Sequence, residues 1–346
     1  MKEKKLTIGM ATFDDFEGVF FTIQSLRLNN PDLLPVLDFV VIDTNPDSAE
    51  GKATKEICKK ADARYFEEKE WRSTACRDRI FTEAKSDWVL CIDPHILLGP
   101  DAIQKLIQYI ENDPENEHLH HGSMLYDYLG TETPATHMEE MWRDNMYGIW
   151  GHSVEKSQKT YPIEIPMHGM GLFLCKVSSW EGFHPLFLGF GGEEGYIHKK
   201  FRKAGKRTLL IPWLKWVHRF QRPRGISYPL RIEERIMNYF IGWLEIGEDP
   251  QEVKDHFKEL HPHLDLDSMQ KDAEELLSDF EEDPEGTLTK RRAREEKVVA
   301  FKPEMTNPAT VQKWNETKVD MGAPMSIDLP GGRLLLKAFG VTWSKD

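Results

Sequence analysis

Short apolar runs alternate along the first half of the chain with segments whose apolar residues recur every three or four positions. Residues 6–13 (LTIGMATF) predict a strand, and beyond Asp14 and Asp15 the side chains of Phe16, Val19, Phe20, Ile23 and Leu26 share one helical face. Residues 39–43 (FVVID) predict a second strand, ending in the turn residues 44–48 (TNPDS). A helix over 52–60, a short strand Arg64–Glu67 and a helix over 73–85 follow, and then the buried strand Trp88–Ile92 (WVLCI). This rhythm predicts a mostly parallel sheet covered by helices on both faces. Ligands of such sheets bind outside the carboxyl ends of the strands. The loops after Phe13, Asp43 and Ile92 are therefore the candidate site.

Gly99-Pro100-Asp101 opens a helix over 102–111, and 118–125 reads as a strand. Residues 126–161 show no clear period and are rich in Met, Trp, Tyr and His, which predicts a functional loop. A strand over 170–177 precedes a break at Gly191-Gly192 and a helix from Glu193 to about Lys203, where acids suit the helix dipole. Residues 209–217 predict a strand with His218 at its end. The basic stretch 221–229 (QRPRGISYP) reads as a mobile lid, 230–244 as a helix, 250–282 as two polar helices and 279–297 as a solvated charged segment. Residues 325–343 predict a hairpin around Pro330-Gly331-Gly332.

Composition narrows the class. The 346 residues suffice for one large domain or two ordinary ones. A net charge of −13 disfavours a protein whose affinity comes mainly from neutralising phosphates, while leaving room for a local basic groove such as 199–207 (KKFRKAGKR). The four cysteines (Cys58, Cys76, Cys91, Cys175) are scattered and read as buried free thiols of a reducing compartment. Neither a signal peptide nor a membrane-spanning run is expected, so the predicted location is cytoplasmic.

Chemistry concentrates at three strand-end residues. Asp93 and His95 stand two apart directly after Trp88–Ile92, and His218 ends a later strand. One carboxylate and two imidazoles suit Mn²⁺, Fe²⁺ or Zn²⁺. Two catalytic classes fit: a nucleotide-sugar transferase, whose cation holds a diphosphate leaving group, and a non-haem iron oxygenase. The helix–strand rhythm argues against the all-β oxygenase folds. His118, His120 and His121 are read as a histidine-rich surface strand, and Cys91 as core.

The motifs then become specific. Residues 6–47 resemble the first half of a GT-A glycosyltransferase of the family 2 kind. In that family, loops equivalent to Thr12-Phe13-Asp14 and to Asp43 and Asn45 hold uracil and ribose, and an arginine matching Arg77 lies near the donor diphosphate. Asp93-Pro94-His95 takes the place of the family's D-x-D. Its D-x-H form is similar to the polypeptide N-acetylgalactosaminyltransferases, as are Gly169-Met170-Gly171-Leu172-Phe173, Phe190-Gly191-Gly192-Glu193, Ile211-Pro212 and Val217-His218.

The resemblance implies an α/β fold of the GT-A (Rossmann-like) type over residues 1–229, followed by a helical and β-hairpin extension over 230–346. It implies a metal-dependent enzyme moving a sugar from a nucleotide-sugar, a UDP-sugar for preference, to an acceptor hydroxyl, with retention. Asp93, His95 and His218 would hold Mn²⁺ or Mg²⁺. Thr12, Phe13, Asp14, Asp43, Asn45, Arg77, Asp93, Gly171 and Arg222 would bind the donor. Glu193 and Glu194 would be the catalytic carboxylates, binding sugar or acceptor hydroxyls, or serving as general base in an inverting enzyme. The expected acceptor is a glycan. Hydroxylated bases of DNA are the alternative acceptor, and a non-catalytic sugar-nucleotide binder the alternative of another class.

Overall fold

A computed structural model describes residues 3–126, 133–220, 226, 228–299, 325–329, 332–337 and 340–344. It divides into two compact units, Met1–Arg294 and Glu295–Asp346. Strands and helices of the first unit run β1 (Leu6–Thr12), α1 (Phe16–Asn29), β2 (Leu37–Asp43), α2 (Ala49–Lys60), β3 (Arg64–Glu67), α3 (Asp78–Glu83), β4 (Trp88–Ile92), β5 (Ile96–Leu98), α4 (Ala102–Asn112) and β6 (Leu119–Tyr126). They continue with β7 (Ala135–Arg143), β8 (Met146–His152), α5 (Val154–Ser157), β9 (Ile163–Glu164), β10 (Leu172–Lys176), α6 (Glu194–Lys203) and β11 (Thr208–His218). Then come α7 (Ile232–Glu245), α8 (Pro250–Leu260), α9 (Leu266–Glu282) and α10 (Pro284–Val299), the last of which runs across the division between the units. The second unit carries an antiparallel sheet of β12 (Met325–Leu329), β13 (Gly332–Lys337) and β14 (Gly340–Ser344). It has one strand more than the predicted hairpin, whose Pro330 and Gly331 lie outside the described residues.

The main sheet is ordered β3-β2-β1-β4-β10-β6-β11-β5, with β7 and β8 extending from β6 and β9 lying on β11. β1, β2, β3 and β4 are parallel, β10 is antiparallel to β4 and β6, and β6 and β11 are parallel. The predicted mixed, mostly parallel sheet flanked by helices is what the chain forms. Period-two alternation assigns each strand residue to one of two cores. Phe39, Val41, Leu90, Ile92, Leu172 and Leu174 pack with α1 and α4, while Val40, Ile42, Val89, Cys91, Phe173 and Cys175 pack with α3, α6 and α7.

Three expectations need correction. Residues 126–161 are not an aperiodic loop throughout, because β7 and β8 form a hairpin; register shifts between Ala135 and His137 and between Glu139 and Trp142 break the alternation that would have revealed it. The histidine strand is not a surface strand. β6 lies between β10 and β11, so His120 and His121 are fully buried. The charged segment 279–297 is exposed over most of its described residues, as read, but is helical on either side of Asp283 and buries Thr287, Leu288 and Arg291. The cysteines match their reading: all four are free and buried. Among the described residues no helix is long and apolar enough to cross a membrane.

Candidate active site

β1 pairs with β2 on one side and β4 on the other, so the chain changes direction across the sheet at β1 and a crevice opens at the strand ends there. Thr12 and Asp43 close β1 and β2, and Asp93 follows β4. The short β5 completes the arrangement: its antiparallel pairing sets Ile96 opposite His218, and the Arg219 N–H donates to the His95 carbonyl at 3.1 Å. Two ligand candidates 123 positions apart in sequence thereby meet. β5 was not anticipated, since three apolar residues after a turn are too few to show a period.

Asp93, His95 and His218 each present a ligand atom, and these atoms all lie within 4.8 Å of one another. The His95 and His218 Nε2 atoms are 3.3 Å apart, and Asp93 Oδ2 is 3.4 Å from His218 Nε2 and 3.8 Å from His95 Nε2. One carboxylate oxygen and two imidazole nitrogens converging in this way fit a borderline divalent cation. Burial by itself pushes the Asp93 carboxyl up. The His218 hydrogen bond and the charges of Arg77, His95 and His218 outweigh that and hold it well below the usual carboxylate range.

Arg77 ties this cluster to the glycine-rich turn before α6. Its Nη2 donates to Asp93 Oδ1 at 2.9 Å and its Nη1 to Thr74 Oγ1 at 2.9 Å, and Thr74 in turn donates to Glu193 Oε1 at 3.1 Å. Glu193 is almost wholly buried, and its Oε2 has no hydrogen-bond partner among the described residues. Burial and the neighbouring Glu193 charge push the Glu194 carboxyl up. Gly191 and Gly192 take φ of 97° and 95°, a conformation that disfavours any side chain there. Gly171 lies against the ligands: a Cβ on it would sit 3.1 Å from Asp93 Oδ2 and 3.3 Å from the His218 ring.

On the other side of the crevice, Asp14 accepts from Asn45 Nδ2 at 2.9 Å and Ser48 Oγ at 2.5 Å. Asp43 accepts from the Asn45 N–H at 2.9 Å and Tyr65 O–H at 2.8 Å, and burial pushes its carboxyl up. Thr12 is buried with its hydroxyl unpartnered among the described residues, and Phe13 is half-buried beside it. Arg222 and Arg224 lie outside the described residues, as does most of the stretch read as a lid. Burial pushes the Cys91 thiol far up, as befits core rather than chemistry.

Two residues escaped sequence reasoning. Asp15 accepts from His95 Nδ1 at 2.8 Å; its adjacency to Asp14 was the available signal. Asn238, on α7, accepts from the Leu188 N–H at 3.0 Å and donates to the carbonyls of Leu188 at 2.8 Å and Gly191 at 2.9 Å. The basic run 199–207, conversely, is largely neutralised within the fold. Lys199 and Lys203 pair with Glu248, Lys200 with Glu245, Arg202 with Glu140 and Lys206 with Glu181. That removes the support the run lent to a phosphate-bearing partner.

The sheet order and the strand-end cluster define an α/β fold with a crevice at its strand ends, and comparison with known proteins places that fold. The family described as Glycosyl transferase family 2 matches residues 7–176. No curated protein matches the sequence. Among solved structures, one described as GalNAc-T7 with UDP, GalNAc and Mn²⁺ aligns at TM-score 0.58 and 17% identity, over 78% of this chain and 54% of that one. The chain thus spans little more than half the length of that relative. Another, Staphylococcus aureus TarS 1–349 in complex with UDP-GlcNAc, aligns at TM-score 0.50 and 9% identity over 99% of both chains. The chain shares the GT-A fold of these glycosyltransferases, and its residues 7–176 resemble family 2.

Proposed function

We propose that the protein transfers a sugar from a UDP-sugar to a glycan hydroxyl, with a divalent cation, Mn²⁺ or Mg²⁺, and with retention of configuration. The observation that carries this reading is the convergence of Asp93, His95 and His218 at the strand ends, within 4.8 Å of one another and bonded to Arg77. The Mn²⁺ and UDP in the GalNAc-T7 structure and the UDP-GlcNAc in that of TarS support the cofactor and donor class.

Asp93, His95 and His218 would hold the cation, which when bound supplies positive charge to the departing diphosphate. Arg77 adds a fixed guanidinium beside it, and Arg222 belongs to the same donor-binding reading. Thr12, Phe13, Asp14, Asp43 and Asn45 form the nucleoside side of the crevice. Gly171 keeps the space beside the ligands clear. Glu193 and Glu194 bind sugar or acceptor hydroxyls. Glu193 Oε1 is committed to Thr74 and Arg77, which leaves Oε2 as the oxygen to meet a hydroxyl.

The test is hydrolysis of a panel of nucleotide sugars with Mn²⁺ and with EDTA, reading the anomer of the released sugar by proton NMR. The expected result is slow hydrolysis of one UDP-sugar with retention, abolished by EDTA and by His218→Ala. Turnover that persists in EDTA, or an inverted product, would overturn the corresponding part of the reading.

A further inference from the structure

The adjacent carboxylates Asp14 and Asp15 serve opposite sides of the crevice. Asp14 takes φ of 50° and bonds Asn45 and Ser48 on the nucleoside side. Asp15 divides its own two oxygens. Oδ1 accepts the Gly18 N–H at 3.1 Å and caps α1, while Oδ2 meets His95 Nδ1 at 2.8 Å. The rest of α1's first turns grip the same segment. Thr22 Oγ1 lies 2.8 Å from the Pro94 carbonyl and 2.9 Å from that of Ile96, and a Cβ on Gly18 would meet the Pro94 carbonyl at 2.7 Å. The helix is thus fastened to the Asp93-Pro94-His95 turn by the Thr22 hydroxyl and by a carboxylate contact to the ring itself.

We propose that Asp15 is a positioning residue that fixes the tautomer of His95. An ionised carboxylate only accepts, so the proton of a neutral imidazole is drawn to Nδ1 and the lone pair is left on Nε2. Nε2 is the atom that faces His218 and Asp93. The helix cap holds the Asp15 carboxylate still, so α1 acts as the rigid support that aims His95 and makes it a better donor. The inference rests on the metal reading proposed above.

Two substitutions separate aiming from capping, since asparagine and serine both cap helices well. Asp15→Asn can keep its oxygen on the Gly18 N–H only by turning its NH₂ to His95 Nδ1. That stabilises the Nε2–H tautomer, which cannot ligate. Asp15→Ser keeps the cap and takes the carboxylate away from Nδ1. Mn²⁺ affinity by calorimetry is expected to fall in the order wild type, Asp15→Ser, Asp15→Asn, with the last weakened about 10–100-fold at unchanged thermal stability. Long-range ¹H–¹⁵N spectra of the metal-free wild type are expected to show His95 protonated on Nδ1, and those of Asp15→Asn on Nε2. A wild type carrying the Nε2–H tautomer, or three proteins of equal Mn²⁺ affinity, overturns the inference. Failure of the wild type to bind Mn²⁺ overturns the metal reading instead, and the tautomer spectra still decide whether Asp15 aims His95.

Discussion

The Asn238 side chain donates to the Gly191 carbonyl at 2.9 Å, joining a helix beyond the predicted transferase region to the glycine turn that carries Glu193. The same amide closes a two-way pair with the Leu188 backbone, and a Cβ on Gly192 would meet Asn238 Cβ at 2.8 Å. Arg235, one turn earlier, donates to the Phe190 carbonyl at 3.3 Å. α7 therefore gives the residues after 229 a definite role: it moulds the turn. Asn238→Leu would keep the volume but leave one buried donor and two buried acceptors without partners, at about 1–3 kcal/mol each. Urea denaturation is expected to show a loss of at least about 3 kcal/mol, and donor hydrolysis to fall with it as Glu193 loses its support. Full activity in a stable Asn238→Leu protein would separate α7 from the site.

Arg77 is the only cation that bonds both Asp93 and, through Thr74, Glu193 among the described residues. Removing its charge leaves the buried Glu193 without a cation and Asp93, which is partly exposed, with only the two histidines beside it. Breaking such a pair costs about 3–5 kcal/mol. Arg77→Met should lose that much in chemical denaturation, whereas Arg77→Lys, which keeps the charge but reaches one partner at a time, should lose less stability and still be impaired in hydrolysis. Equal stability of Arg77→Met and wild type would show that the network is not structural.

What could be read from the chain followed from how locally each feature is encoded. β3 and β4 were found to the residue, β4 because five apolar side chains end at an aspartate, and β1 and β2 to within two residues because their helices separate them cleanly. Asp93, His95 and His218 could be named because each stands where a strand stops. β7 and β8 were hidden by their own register shifts, and β5 by its length of three residues. The burial of His120 and His121 depends on β6 being sandwiched between β10 and β11, a fact of sheet order that no local pattern carries. Asn238 was illegible for the same reason: its partners lie 47 and 50 positions away and are backbone atoms, which leave no mark on side-chain pattern.

Gly171 offers a test of how tightly the ligand cluster is drawn. An alanine Cβ there would stand 3.1 Å from Asp93 Oδ2, 3.1 Å from the Trp216 ring and 3.3 Å from the His218 ring. Trp216 is held by its indole N–H on the Gly122 carbonyl at 2.9 Å, so the ligands must give way. A shift of about half an ångström is enough to spoil a functional constellation. Gly171→Ala is expected to fold, with a loss of about 1–3 kcal/mol, and to bind Mn²⁺ about tenfold more weakly. Unchanged affinity by calorimetry would mean the crevice has slack.

The buried histidines set the response to acid. Burial pushes His120 down to about 3, and His168 and His184 to about 4, each from an ordinary value near 6.5. These rings stay neutral in the folded chain while the unfolded chain takes up protons below pH 6.5. The unfolded state therefore binds more protons between about pH 6.5 and 4, and stability falls as the pH falls through that window. At pH 5 the loss approaches a ceiling of about 2 kcal/mol per histidine. Burial pushes the Asp78 carboxyl up to about 7 and that of Glu194 up to about 8, which acts in the opposite sense. The histidine contribution is therefore read by difference: between pH 7.5 and pH 5 the urea midpoint of His184→Gln, whose side chain does not titrate, should move less toward lower urea than that of the wild type. His184 is the suitable site because it lies on the face that packs against Phe280, away from the ligand cluster. The same midpoint change in His184→Gln and wild type would mean that the His184 ring is protonated as readily folded as unfolded.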